Sequence, residues 1–257
     1  MEVWYVWQRD VRLMRRMINS FTMTILGTLV ALAIFAPTID RLVAGIAFGT
    51  ASVPYLQFYI PGSLILAAFS GSFYGGGSIQ HDRREGVLQV MAASALSRRA
   101  LALGKIASAV TRSMLIVLGV FAAVTAAGFR FIHPLAGALG LIGMAVLISW
   151  SFAAISSCLA FVIRHRFGYD LLITGLIAPL SYLAAITYPE TVLPDTLQVL
   201  ARLNPLTYAA NGVREIIVYG TFPSALNLLM PLGLAGISTV LAARMARNLS
   251  GEKLWAP

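Results

Sequence analysis

An all-α integral membrane protein is the fold class this sequence predicts, and three observations predict it. Apolar residues make up 58% of the 257 positions and charged ones only 11%, under half the ~25% usual in a soluble domain. Mean hydropathy is +0.81. The charges are gathered between long uncharged runs, six of which come near the ~20 residues a helix needs to cross a bilayer. A soluble fold of this composition would leave a large apolar surface in water, a penalty that lipid removes.

The net charge of +9 would point to nucleic acid if the basic residues shared one folded surface. They alternate with apolar runs instead, so they read as a membrane orientation signal and no nucleic-acid partner is expected. The single cysteine, Cys158, excludes an intrachain disulfide and a cysteine-based zinc site.

At the start, Trp4, Trp7, Val11, Met14 and Ile18 recur every three or four residues, with Arg9, Arg12 and Arg16 off that stripe. The pattern over 1–18 is an amphipathic helix lying in the headgroup layer. Aromatic residues precede the basic ones, the reverse of a cleavable signal. A first span over 19–40 is closed by Pro37 and Asp40-Arg41. A loop or partial helix follows to about Val53. The second span covers 55–80, with Tyr55, Phe58 and Tyr59 as interfacial aromatics and Gly71, Gly75, Gly76 and Gly77 as a close-packing face.

Residues 81–105 form a charged, helix-compatible segment. Four further spans are expected over 112–129, 135–163, 171–188 and 223–243. The stretch between spans five and six is broken by Pro194 and Asn204-Pro205. It reads as short helices re-entering the outer leaflet, since lipid-exposed irregular backbone is excluded there. The whole is expected to be one transmembrane domain over 1–257. Of the nineteen Lys and Arg residues, fifteen fall on the side of the termini and of segment 81–105. By the positive-inside rule both termini and that segment are cytoplasmic.

Catalytic constellations are missing. Gly104-Lys105 is followed by Ile106 rather than Ser or Thr, so there is no phosphate-binding loop. There is no zinc-protease motif and no nucleophile elbow. The three histidines, His81, His133 and His165, fall at span ends. Gly76-Gly77-Ser78 beside His81 reads as helix packing. Ionisable groups buried at mid-membrane would mark an ion-driven carrier, but Asp170 and Arg112 lie near the ends of predicted spans, and Arg166 pairs with Asp170 at i, i+4. The energy source is therefore expected outside the membrane domain.

Three places resemble one known family. The first is Leu56-Gln57-Phe58-Tyr59-Ile60-Pro61-Gly62, similar to an F-x-x-P-G entry to span two. The second is Arg84-Glu85-Gly86-Val87-Leu88-Gln89 with Ser97-Arg98-Arg99 and Leu103-Gly104-Lys105, similar to a cytoplasmic E-x-G-T-L-E … S-P-x-S-R … L-G-K stretch. Here Val87, Gln89 and Ala95 depart from the common Thr, Glu and Pro. The third is Ala178-Pro179-Leu180-Ser181-Tyr182 with Leu203-Asn204-Pro205-Leu206-Thr207-Tyr208 and Arg214, similar to an outer N-P-L-x-Y region. Together they resemble the permeases of type-2 ATP-binding-cassette exporters, six-span proteins with a separate ATPase subunit.

That resemblance implies a half-channel in the inner or plasma membrane, paired with a second copy of itself and served by two cytoplasmic ATPase subunits. ATP and Mg would be used by the partner, and the chain would carry neither a cofactor nor catalysis. Segment 81–99 would hold the coupling helix, with Arg83, Arg84, Glu85, Gly86, Val87, Leu88 and Gln89 meeting the ATPase. Val87, Leu88, Val90 and Met91 would offer apolar contact, and Arg83, Arg84 and Glu85 a charged rim. Phe69, Phe73, Tyr74, Trp150, Phe152 and Tyr182 are candidate pathway residues. Asn204, Pro205, Tyr208 and Arg214 would organise the outer region. Apolar spans suit export of amphipathic drug-like molecules or lipids. The alternative cargo is a lipid-linked polysaccharide or glycolipid; a membrane scaffold or enzyme is the reading from outside transport.

Overall fold

The computed structural model describes residues 1–14, 18–42, 45–73, 76–94, 96–163 and 165–247. Tyr74, Ala95, Arg15, Arg16, Arg164 and Lys253 lie outside them. Eleven helices appear among the described residues: α1 Glu2–Met14, α2 Ile18–Leu42, α3 Tyr55–Phe73, α4 Gly77–Arg84, α5 Val87–Ala93, α6 Arg98–Ala126, α7 Pro134–Val162, α8 Arg166–Leu183, α9 Asp195–Leu203, α10 Pro205–Tyr219 and α11 Ala225–Arg247. A 3-10 turn occupies Glu190–Val192.

Of these, five helices are long and apolar enough to cross a membrane: α2, α3 continued by α4, α6, α7 and α11. The fifth expected span is α8, which is not among them. Its eighteen residues reach about 27 Å at 1.5 Å per residue, its first turns hold Arg166 and Asp170, and Pro179 lies inside it. Arg166 and Asp170 do pair, at 3.2 Å.

Several boundaries move for identifiable reasons. The second span, expected over 55–80, is described as α3 to Phe73 and α4 from Gly77, and α4 carries it on to Arg84. The third, expected over 112–129, begins at Arg98, where the Ser97 hydroxyl accepts from the Ala100 amide as an N-cap. Lys105 therefore belongs to α6 rather than to a cytoplasmic loop, and Arg112 sits in mid-helix. The fifth ends at Leu183 instead of 188. Residues 46–53, read as loop or partial helix, form a hairpin with β1 Ile46–Phe48 antiparallel to β2 Ala51–Val53. Gly49, with φ 58°, opens the two-residue turn such a hairpin requires.

The bundle is built around α7, which packs against α3, α6, α10 and α11. Small and hydroxylated residues bring the axes together. Ser113 of α6 donates to the Ala68 carbonyl of α3 at 2.6 Å and lies 2.8 Å from Ser149 of α7. Phe69, Phe73 and Phe152 pack against one another, Phe152 edge-on to both rings of α3. Exposed Leu, Ile, Val and Phe side chains on α2, α7 and α11 face outward, as lipid contact requires.

Candidate functional site

Two sites emerge at opposite ends of α3–α4. The first is the corner formed by α4, α5 and the start of α6. The chain leaves α4 at Arg84, turns through Glu85 and Gly86, and enters α5. Gly86 has φ 70°, in the left-handed region where a Cβ is strained. Of the residues expected to meet a partner, Arg84, Glu85 and Val90 are exposed, Val90 at 71%. Leu88 points inward and is buried in the core. Met91 packs, partly buried, against the same core, and Arg83 turns back to donate to the Ile163 carbonyl at 2.9 Å. Val87 and Gln89 are half-buried.

Behind this corner lies a cluster of charge that sequence reading missed. Asp10, Asp82 and Lys105 are buried, at 6%, 2% and 2% exposure. Lys105 Nζ lies 2.9 Å from Asp10 Oδ2 and closer still to Asp82 Oδ2. Arg9 bonds Asp82 bidentately at 2.7 and 2.9 Å and Asp10 at 3.2 Å. The Ser108 hydroxyl donates to Asp10 at 3.1 Å. Two cations and two anions alternate in a closed ring, so the charges balance. The hydrogen bond to Asp82 raises the pKa of Arg9 against the effect of burial. Removing one member of such a buried set costs about 3–5 kcal/mol. The available signal was Asp10 itself, an acid one turn from Val6 on the inward face of α1.

The end of α3 and the start of α4 are tied to α7 and α8 as well. Ser156 of α7 accepts from the Gly76 amide at 3.1 Å, donates to the Phe73 carbonyl, and lies 2.7 Å from the Tyr169 hydroxyl of α8. A methyl group on Gly76 would come within 2.2 Å of Ser156 Oγ. Gln80 donates to the Ala160 and Ile163 carbonyls. Thus α4 is bonded to α7 and its C-cap Ile163 from Gly76 to Arg83.

The second site joins the two outer motifs, which are far apart in sequence. Asn204 caps α10, accepting from the Leu206 amide at 3.0 Å and donating to the Leu180 carbonyl at 2.6 Å. Pro205 starts α10, where its missing N–H costs nothing. The Tyr208 hydroxyl donates to the Arg202 carbonyl at 2.5 Å. Arg214, 1% exposed, donates to the carbonyls of Phe58 (2.9 Å), Ala185 (2.6 Å) and Ile186 (2.9 Å) and to Asn211 Oδ1 (2.9 Å). Gly62 makes room for it: a methyl there would lie 2.8 Å from Arg214 Nη2. The F-x-x-P-G and N-P-L-x-Y motifs are two halves of one clamp.

The candidate pathway residues divide. Phe69, Phe73 and Phe152 fill the core between α3 and α7. Trp150 donates to Thr239 Oγ1 at 2.8 Å, joining α7 to α11. Tyr182 is exposed, and Tyr74 lies outside the described residues.

Five long apolar helices in a bundle with outward-facing apolar side chains define a multi-pass membrane protein. Residues 1–218 match the family described as the ABC-2 type transporter, and the chain belongs to that family of transport permeases, whose members work with an ATPase partner. It is 26% identical over 210 residues to the daunorubicin resistance ABC transporter permease protein DrrB1 of Streptomyces coeruleorubidus, a match covering 79% of this chain and 73% of that one. It is 27% identical over 170 residues to the ycf38 proteins of Porphyra purpurea and of Cyanophora paradoxa, which carry provisional transport-permease names. Those matches cover 65% of this chain and 57% and 58% of theirs.

Proposed function

We propose that this chain is the membrane half of an ATP-driven exporter that moves amphipathic or hydrophobic small molecules, or lipids, out of the cytoplasm or its facing leaflet. The observation that carries the reading is the α4–α5 corner. It presents Arg84, Glu85 and Val90 outward on the side that collects most of the Lys and Arg, while Leu88 ties it into the core. A soluble ATPase docking on that rim would push on a part already joined to the bundle. Two copies of the chain would enclose the path, with α8 as the fifth of six spans and both termini cytoplasmic.

The bundle's interior supports this cargo class, as does DrrB1, whose name records resistance to daunorubicin. Phe69, Phe73 and Phe152 are engaged with one another rather than ranged along a glycan-sized channel, which favours a small apolar cargo over a polysaccharide.

The test is co-purification with an ATPase subunit, followed by ATP-dependent uptake of daunorubicin into inside-out vesicles. Glu85→Arg on the exposed rim is expected to detach the ATPase and abolish uptake while the permease stays folded. Unaltered ATP turnover and uptake in that variant would overturn the docking role. A cysteine introduced at Arg84 or Val90 is expected to react with impermeant thiol reagents from the cytoplasmic side; labelling from outside intact cells would reverse the topology.

A further inference from the structure

The corner that carries α5 is held from one side by α1, at three levels. At the top of α1, Glu2 Oε2 accepts from the Ser97 hydroxyl at 2.6 Å and its amide at 3.0 Å, at the N-cap of α6. In the middle, Val6 is 2% exposed and packs on Gly104, where a methyl group would come within 2.6 Å of Val6 Cβ. Lower down, Arg9 and Asp10 complete the charge ring with Asp82 of α4 and Lys105 of α6, and Arg9 Nη1 lies 3.5 Å from Met91 Sδ of α5. A helix that only lay in the headgroup layer would turn its charges outward. Here α1 turns Asp10 inward and leaves Trp4 and Tyr5 exposed.

We propose that α1 is a brace for energy coupling, with Arg9 and Asp10 as positioning residues that lock α4 and α6 into one body. A displacement of α5 then moves both helices instead of being absorbed by the turns on either side of it. The inference rests on the coupling role given to α5 above. Its physical basis is the closed alternation of charge: each carboxylate is shared by both cations, so neither α4 nor α6 can withdraw without stranding buried charge.

The alternation also dictates the test. Exchanging one Asp with one Lys would set like charges side by side, so a pair swap cannot rescue. Replacing Asp82 and Lys105 together, as D82L/K105M, instead leaves Arg9 and Asp10 paired with each other and buries no uncompensated charge. The full chain in lipid nanodiscs is followed by hydrogen exchange, with and without the ATPase subunit. In the double variant, amides of α1 and of residues 87–94 are expected to exchange at least tenfold faster than in the parent. With the ATPase bound, permease-dependent stimulation of ATP hydrolysis is expected to fall at least fivefold although the subunit still binds; K105R is expected to keep most of it.

Unchanged exchange, or unchanged stimulation with the ATPase bound, overturns the brace. Should D82L/K105M not fold, R9Q, at the half-exposed edge of the ring, is measured in the same way, and unchanged exchange or stimulation in it overturns the brace equally. Failure of any ATPase to bind the parent chain would overturn the coupling reading of α5, while the exchange measurement still decides whether α1 braces the corner.

Discussion

The guanidinium carbon of Arg214 lies 3.5 Å from the centroid of the Phe58 ring, and its Nε donates to the Phe58 carbonyl at 2.9 Å. One residue of α3 thus receives a cation through both its ring and its backbone. Two further carbonyls, from Ala185 and Ile186, complete the set, and among the described residues no carboxylate forms an ion pair with it. Cation–π contact and charge-assisted hydrogen bonds are both strengthened where water is excluded. The clamp holds α3, α10 and the segment after α8 to one another.

Arg214→Met is therefore expected to destabilise the detergent-purified protein by about 3 kcal/mol or more, since three buried carbonyls lose a charged donor at ~1.5–3 kcal/mol each and the losses overlap. Arg214→Lys is expected to recover less than half, because an ammonium on a flexible stem cannot span the same fork of acceptors. Thermal unfolding reads both, and an unshifted midpoint in either variant would mean the clamp contributes little to stability.

At the N-cap of α4, Gly76→Ala puts a methyl group 2.2 Å from Ser156 Oγ and 2.6 Å from the Tyr169 hydroxyl. Overpacking of this kind costs about 1–3 kcal/mol. Combining it with Tyr169→Phe, which removes one clashing atom, is expected to recover part of the loss. Strict additivity of the two changes in an unfolding experiment would show that Tyr169 and Gly76 do not meet there.

Gly86→Ala forces a Cβ into the left-handed region at the entry to α5, at a cost of about 1–2 kcal/mol. Gly86→Asn, which tolerates that conformation better, is expected to cost less. Since α5 is short and tied mainly through Leu88, the effect should appear as faster hydrogen exchange in 87–94 before it appears in global stability. Equal exchange in both variants and the parent would remove the requirement for glycine.

The Glu2 carboxyl is held below its ordinary 4.5 by the Ser97 hydroxyl and then by the Ser97 amide. A depressed acid contributes stability that is present above the unfolded value and lost as pH falls through the folded one. The α1–Ser97 contact should therefore persist at pH 5 and loosen only below 4.5. Exchange of the first turn of α1, followed from about pH 6 down to about pH 3, tests this; loosening already complete at about pH 5 would contradict it.

The spans were legible where charge-free runs were bounded by Pro or by paired charges, as at α2 and α7. The start of α6 was hidden because Arg98, Arg99 and Lys105 give its first turns the look of a loop; the Ser97 cap was the better guide. The buried ring was invisible for a different reason. Asp10, Asp82 and Lys105 look like ordinary flanking charges until folding brings together residues 73 and 95 positions apart. The outer motifs could each be recognised, but their meeting at Arg214 depends on a contact across 156 positions, which no local pattern reports. The hairpin at 46–53 has strands of three residues each, too short for an alternating pattern to stand out from a loop.

The long reach of the ring also sets an order of events during synthesis. Lys105 is made 95 residues after Asp10. At ~5–20 residues per second that is a wait of about 5–19 s. Throughout it Asp10 has only its neighbour Arg9 for a counter-charge among the members of the ring already made on α1. Helix α1 thus locks only after α6 has begun, and the arrival of Lys105 closes the corner.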